Sequence, residues 1–445
     1  MSLSAGPKGP ALLLLALIPL GVPCTIIHTL MSKPSARFAR SVLLFVSVLG
    51  VGAIFLQAQG PQAPPSDALT RLEGQLERRE TTLDYREGTG YLPSLLEHLN
   101  LSIDSQLLVF SKTSFQQAII SPKNPRALYF NDEVSVGTVP GGDVYELLAL
   151  EPSQGMVFYT LSTKKADEPR LERRSTECLF CHAIGNKGAP SLVVASVFPD
   201  ADGSPAYTST FINTIDHRTP FEQRWGGWYV TGTHGSQRHM GNAVAADPLR
   251  PLDLEASHSQ NLTTLADKLD VSKYLTGTSD IVALSTLEHQ VGMVNRIIAS
   301  GVQYGRLKRD GMSDADWKYL DGEIDDLVGY MLFVDEAPLA EPVKGVSAFT
   351  LTFPQRGPRD KQGRSLRDFD LQKRLFRHPM SYMVYSDLFD GLPAPVLDRV
   401  YRRLFDVLSG EDKSPKYATL SAADRQAVLE ILRDTKPNLP DFWKM

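Results

Sequence analysis

The stretch VYELLALEPSQGMVFYTL, residues 144–161, decides the fold. Val144–Leu150 and Met156–Leu161 are β-prone runs, and Ser153, Gln154 and Gly155 between them are turn-forming. The same grammar extends upstream. Leu107–Phe110, Ala127–Phe130 and Val134–Val139 are short runs of the same kind, punctuated by Pro122, Asn131-Asp132 and Gly141-Gly142. Together they read as a small antiparallel β region. A further hairpin is expected from Leu192–Phe198 and Ala206–Asn213, with its turn at Pro199–Gly203. Residues 68–80 read as a short charged helix. From about Leu262 onward the periodicity becomes helical: Ile281–Ser300 carries an apolar stripe. Ser313 with Asp316 forms a capping pattern before Trp317, Leu320, Ile324, Leu327, Val328 and Met331. Ser421 with Asp424 repeats it before Val428, Ile431 and Leu432. The fold class is therefore α+β, with a β region before and around residue 180 and a mostly α-helical second half.

The chain has 445 residues, 42% hydrophobic and 22% charged, with net charge −5, so no basic nucleic-acid footprint is present. Two apolar runs open it, about Ala11–Met31 and Ser41–Ala58, with Lys33, Arg37 and Arg40 between them. Read from Met31, a basic start, an apolar core and a polar exit have the layout of a secretory signal peptide over 31–58. Residues 1–30 then read as an upstream misreading or an extra apolar segment, and Cys24 as bland. Two spanning helices, or one uncleaved membrane anchor, are the competing readings. Either route exports the chain to the periplasm or the outer face of the inner membrane. Residues 59–67 form a linker, 68–340 the main body and 341–445 a C-terminal helical unit, set off by the Pro-, Gly- and charge-rich stretch Glu341–Arg364.

The chemistry sits in Cys178-Leu179-Phe180-Cys181-His182, the attachment pattern of haem c. Two thiols three positions apart on a helical turn reach the two vinyl groups of one porphyrin. The next residue, His182, then offers its imidazole to the iron. A redox dithiol would want a thioredoxin-like βαβ setting, and a zinc site would want a second Cys pair; neither is present. Beyond residue 31 the only cysteines are Cys178 and Cys181, so the count is one haem per chain.

The opposite iron position has several candidates. His289 and Met293 are four apart on one helix face, and His239 and Met240 lie in a glycine-bearing loop. An open site, or Met380, Met383 or His378, completes the set. Arg224, Trp225 and Trp228 lie in an aromatic stretch suited to covering a haem face. Arg224, Arg218 or Arg238 could pair with haem carboxylates. A core Trp pair around a Gly-Gly turn is the plainer reading.

The blocks 124–132, 155–160, 178–182, 216–218, 224–235, 238–242 and 288–290 resemble an uncharacterised bacterial family of exported monohaem c-type cytochromes, the cytochrome c domain-containing proteins. Residues 356–358, 363–367 and 374–376 fit it too, so the resemblance spans about 105–435. It implies haem c and an extracytoplasmic location, and assigns no substrate. Electron transfer between redox partner proteins is the first expectation. A peroxidase-like oxidoreductase using Glu288, His289 or His239 is the second, and a haem-based sensor or docking subunit the third.

Overall fold

The computed structural model describes residues 66–175, 178, 182, 188–206, 213–247, 249–250 and 252–444. The apolar runs before residue 59 and Cys181 lie outside the described residues.

Nine strands form among the described residues: β1 (Leu107–Val109), β2 (Arg126–Phe130), β3 (Val134–Thr138), β4 (Val144–Glu151), β5 (Gly155–Ser162), β6 (Leu171–Arg174), β7 (Ala195–Ser196), β8 (Asn213–Thr214) and β9 (Trp228–Tyr229). Seven of them make one antiparallel sheet in the order β6-β5-β4-β3-β2-β1-β9. The α+β class therefore holds, with a seven-stranded antiparallel sheet in the middle region and a mostly helical C-terminal half. Two strands escape the sequence reading. β6 is Leu-Glu-Arg-Arg, an edge strand whose charged side chains carry no apolar signal. β9 places Trp228 in the ladder beside Val109. The described part of the hairpin expected at 192–213 pairs Ala195 with Thr214 and bridges Pro199 to Pro205 across the expected turn, while residues 207–212 lie outside the described residues.

Alternation gives the sheet two apolar faces. Tyr129, Val136, Tyr145, Leu147, Val157 and Tyr159 point to one, which packs against helices α1 (Ala68–Glu77) and α2 (Leu92–His98). Leu107, Val109, Phe130, Met156 and Phe158 point to the other. That second face meets α3 (Ile281–Leu307), a helix buried along most of its length. Helix α4 (Asp314–Met331) starts at the expected Ser313–Asp316 capping box. Helices α5 (Ala394–Leu408) and α6 (Ala422–Thr435) complete the C-terminal half, and Ser421 caps α6 as expected. Residues 341–445 do not build a separate core. Leu404, Ile431 and Trp443 belong to the same apolar cluster as Trp228 and Ile281, because α3 and α4 need their outer faces covered.

The buried carboxylate of Asp280 fixes the start of α3. Its Oδ1 accepts from Val282 N and Ala283 N, and its Oδ2 from Val346 N, Ser347 N and Ser347 Oγ. No helix among the described residues is long and apolar enough to cross a membrane.

Candidate functional site

His182 stands over the second face of the sheet. Its ring lies 4.9 Å from that of Phe158 on β5. Across the strands, Phe158 is paired with Leu148, which with Leu128 and Leu150 is apolar, half-buried and on the same face. Cys178 packs against this cluster as well. Behind the imidazole, Nδ1 lies 2.8 Å from the backbone carbonyl of Ser191. A carbonyl only accepts, so the Nδ1 proton points at Ser191 and Nε2 is left bare. Burial lowers the pKa of His182, so the ring is held neutral. The next residue, Leu192, is clamped to α3: its N–H donates to Asn295 Oδ1 and its carbonyl accepts from Asn295 Nδ2.

Hydrogen-bond polarity sorts the other histidines. His239 Nδ1 accepts from the backbone N–H of Gly241 at 3.0 Å, so its proton sits on Nε2, the wrong tautomer for a bond from Nε2 to a metal. His234 Nε2 accepts likewise from Asn261 N. His289 has both nitrogens engaged: Nδ1 with His217 Nδ1 at 2.9 Å and Nε2 with Ser381 Oγ at 2.8 Å. Met383 N–H donates to Ser381 Oγ, and in one direction of the chain the Ser381 hydroxyl donates to His289 Nε2. His289 then donates from Nδ1 to His217, whose proton sits on Nε2, a buried atom without a partner. Each direction leaves one hydrogen unpaired among the described residues, the Nε2–H of His217 in this one and the Ser381 hydroxyl in the reverse.

Next to this pair lies a buried ion pair. Arg224 donates to Glu288 Oε1 at 2.5 Å, to the carbonyl of Thr219 from Nε and to that of His217 from Nη2. Trp225, in the left-handed backbone region at φ 68°, donates from Nε1 to Glu288 Oε2 at 3.0 Å. Burial raises the Glu288 carboxyl to about 7, against the lowering pull of Arg224 and Trp225. Trp228 donates from Nε1 to the carbonyl of Ala195. Tyr330 completes the surround. Its ring is 4.2 Å from His217, and its hydroxyl occupies the room left by Gly292 on α3.

The expected residues therefore separate. Arg224, Trp225, His289 and Glu288 come together, but as a closed internal network. The Arg224 guanidinium is committed to protein groups and is not free to pair with a haem carboxylate. Arg218 turns to Asp326 and the Tyr330 ring, and Arg238 to Glu255. Met293, Met380 and Met383 are fully buried in the main core, and His378 is buried with Nε2 unpartnered. Met240 is part-buried, and its sulfur receives only a long contact, 3.8 Å, from Ser196 Oγ on β7. No hydrogen bond or ring contact among the described residues joins His182 to His289, Met293, His239 or Met240. Sequence reasoning missed His217, Ser381 and Tyr330. The polar run Glu288-His289-Gln290 inside an otherwise apolar helix was the available signal, because buried polar groups need partners. Among the described residues no group of three or more His, Cys, Asp or Glu is placed to hold a metal ion.

Comparison with protein-family models, with curated proteins and with solved structures finds no match.

Proposed function

We propose that the chain is an exported monohaem c-type cytochrome that transfers electrons between extracytoplasmic redox partners. The observation that carries this reading is the state of His182. It follows Cys181 directly in sequence, and its Nδ1 proton is held by the Ser191 carbonyl, leaving a neutral imidazole with a bare Nε2. That is the donor a haem iron requires, with the outer partner that orients a ligating histidine. The described residues suit such a group: Cys178, with Cys181 from the sequence, would supply the thioether sulfurs, His182 the iron ligand, and Phe158, Leu128, Leu148 and Leu150 an apolar wall. A bound haem c would supply a one-electron iron couple. The protein's part is to hold His182 in one tautomer and to tie the Ser191–Leu192 segment to α3 through Asn295.

The peroxidase-like alternative wants an acid–base group at the open iron face. Glu288, His289 and His239 are engaged elsewhere, which favours the carrier. Of the four ligand candidates, Met240 is the one that is not fully buried.

The test is expression of the full chain with the machinery that forms haem thioethers, followed by acid-acetone extraction. Pigment should stay with the polypeptide, and the double variant Cys178→Ala/Cys181→Ala should release it. A wild-type chain that emerges colourless, or gives up its pigment, overturns the proposal.

A further inference from the structure

Arg224 is committed to Glu288 and two backbone carbonyls, Arg238 pairs with Glu255, and Arg218 pairs with Asp326 and stacks on the Tyr330 ring, its Nε also without a partner among the described residues. A different arginine lies on the His182 side of the sheet. Arg126 on β2 occupies the same row as Leu128, and its charge, with that of Glu146, acts on the His182 imidazole. The guanidinium lies across Gly137 of the neighbouring strand. A Cβ there would stand 2.7 Å from Arg126 Nε and 2.8 Å from Cζ, so only glycine lets the fork lie flat on the sheet. Nη2 meets Glu146, which is 16% exposed beside an arginine 20% exposed. Nε is buried and has no partner among the described residues. Glu146 is in turn held from the other side by Gln116 Nε2 at 3.1 Å. An ionised guanidinium with an unused buried donor, fixed on the sheet face that carries Phe158 and His182, is a half-filled site for a carboxylate.

We propose that Arg126 binds a carboxylate of the haem, through Nε, and that Glu146 competes with that carboxylate for the same guanidinium. The inference rests on the cytochrome reading. Arg126 is here a binding and positioning residue, with no part in making the thioethers. Its positive charge favours the electron-rich reduced state, and its donor fixes the ionisation of the bound carboxylate. Glu146 acts in the opposite sense on both.

The experiment measures the reduction potential of the haem-loaded full chain against pH, with covalent haem content as an independent readout. Arg126→Gln should retain the haem and lower the potential. Glu146→Gln should raise it. Arg126→Lys keeps the charge but lacks the Nε donor (a single ammonium replaces the fork), so it should restore most of the potential while moving the pH at which the potential changes slope. A wild-type chain without covalent haem sinks the cytochrome reading itself. Haem attached normally, with the potential of Arg126→Gln equal to wild type, overturns this inference alone. An Arg126→Lys profile superposable on wild type at every pH also overturns it, because the charge would then act through space and Nε would hold nothing. Should Arg126→Gln fail to fold, the Glu146→Gln and Arg126→Lys profiles carry the test.

Discussion

His182 and His289 are both largely buried neutral imidazoles, yet they are held by opposite means. The Nδ1 proton of His182 is fixed by a backbone carbonyl, and Nε2 makes no hydrogen bond to any described residue. His289 is held by side chains at both nitrogens, Ser381 on one side and His217 on the other. A backbone carbonyl can only accept, so it sets one tautomer and leaves the other nitrogen for chemistry. A side-chain chain consumes both nitrogens and produces rigidity. The first arrangement suits a ligand and the second a joint between α3 and the segments that cross it.

The largest effect expected from breaking this contrast is at the joint. Glu288→Ala would strand the Arg224 guanidinium in the interior and should cost about 3–5 kcal/mol in urea unfolding. A loss below 1 kcal/mol would mean the pair is not the clamp described. Next comes Gly292→Ala, whose new methyl would collide with the Tyr330 hydroxyl. An overpacking cost of about 1–3 kcal/mol is expected, and Tyr330→Phe on the same background should recover part of it.

Acid should act on the joint too. Burial lowers His289 from 6.5 to about 3, and lowers His217 well below its ordinary value. The unfolded chain therefore binds the proton first. The contribution of these two histidines should be full above pH 6.5 and be lost as pH drops from there toward 3, by at most about 1.4 kcal/mol per pH unit for each group, while the raised carboxyl of Glu288 acts in the opposite sense between 4.5 and about 7. Urea midpoints of the wild type and His289→Gln, compared between pH 7 and 5.5, check this: relative to the variant, the wild type should lose stability as pH falls. The smallest change is Ser381→Ala, about 1 kcal/mol. Its sharper readout is the nitrogen NMR of the histidines. In the direction where the Ser381 hydroxyl donates, its removal should cost His217 its single Nε2–H tautomer, while His182 keeps Nδ1–H. An unchanged His217 would refute that direction.

The strands with apolar β-prone runs were readable because alternation and turn residues agree there, as at 144–161. The capped helices were readable because Ser313–Asp316 and Ser421–Asp424 are local signals. β6 and β9 were not, since Leu171–Arg174 is mostly charged and Trp228–Tyr229 is only two residues long. The attachment motif is local and could be read. The partner of His289 could not, because it lies 72 residues away with nothing periodic to announce it. Arg126 was hidden for the same reason: its setting depends on Gly137 and Glu146 in neighbouring strands.

The Asp280 carboxylate has a wider consequence. It receives the first turn of α3 on one oxygen and residues 346–347 on the other. Fraying of that turn and detachment of that loop are therefore one event, because either motion strips donors from the same buried anion. Amides of Val282, Ala283, Val346 and Ser347 should exchange with deuterium at a common rate. Strain applied to the loop would be felt at the root of the helix that carries Asn295, and so at the segment that holds His182.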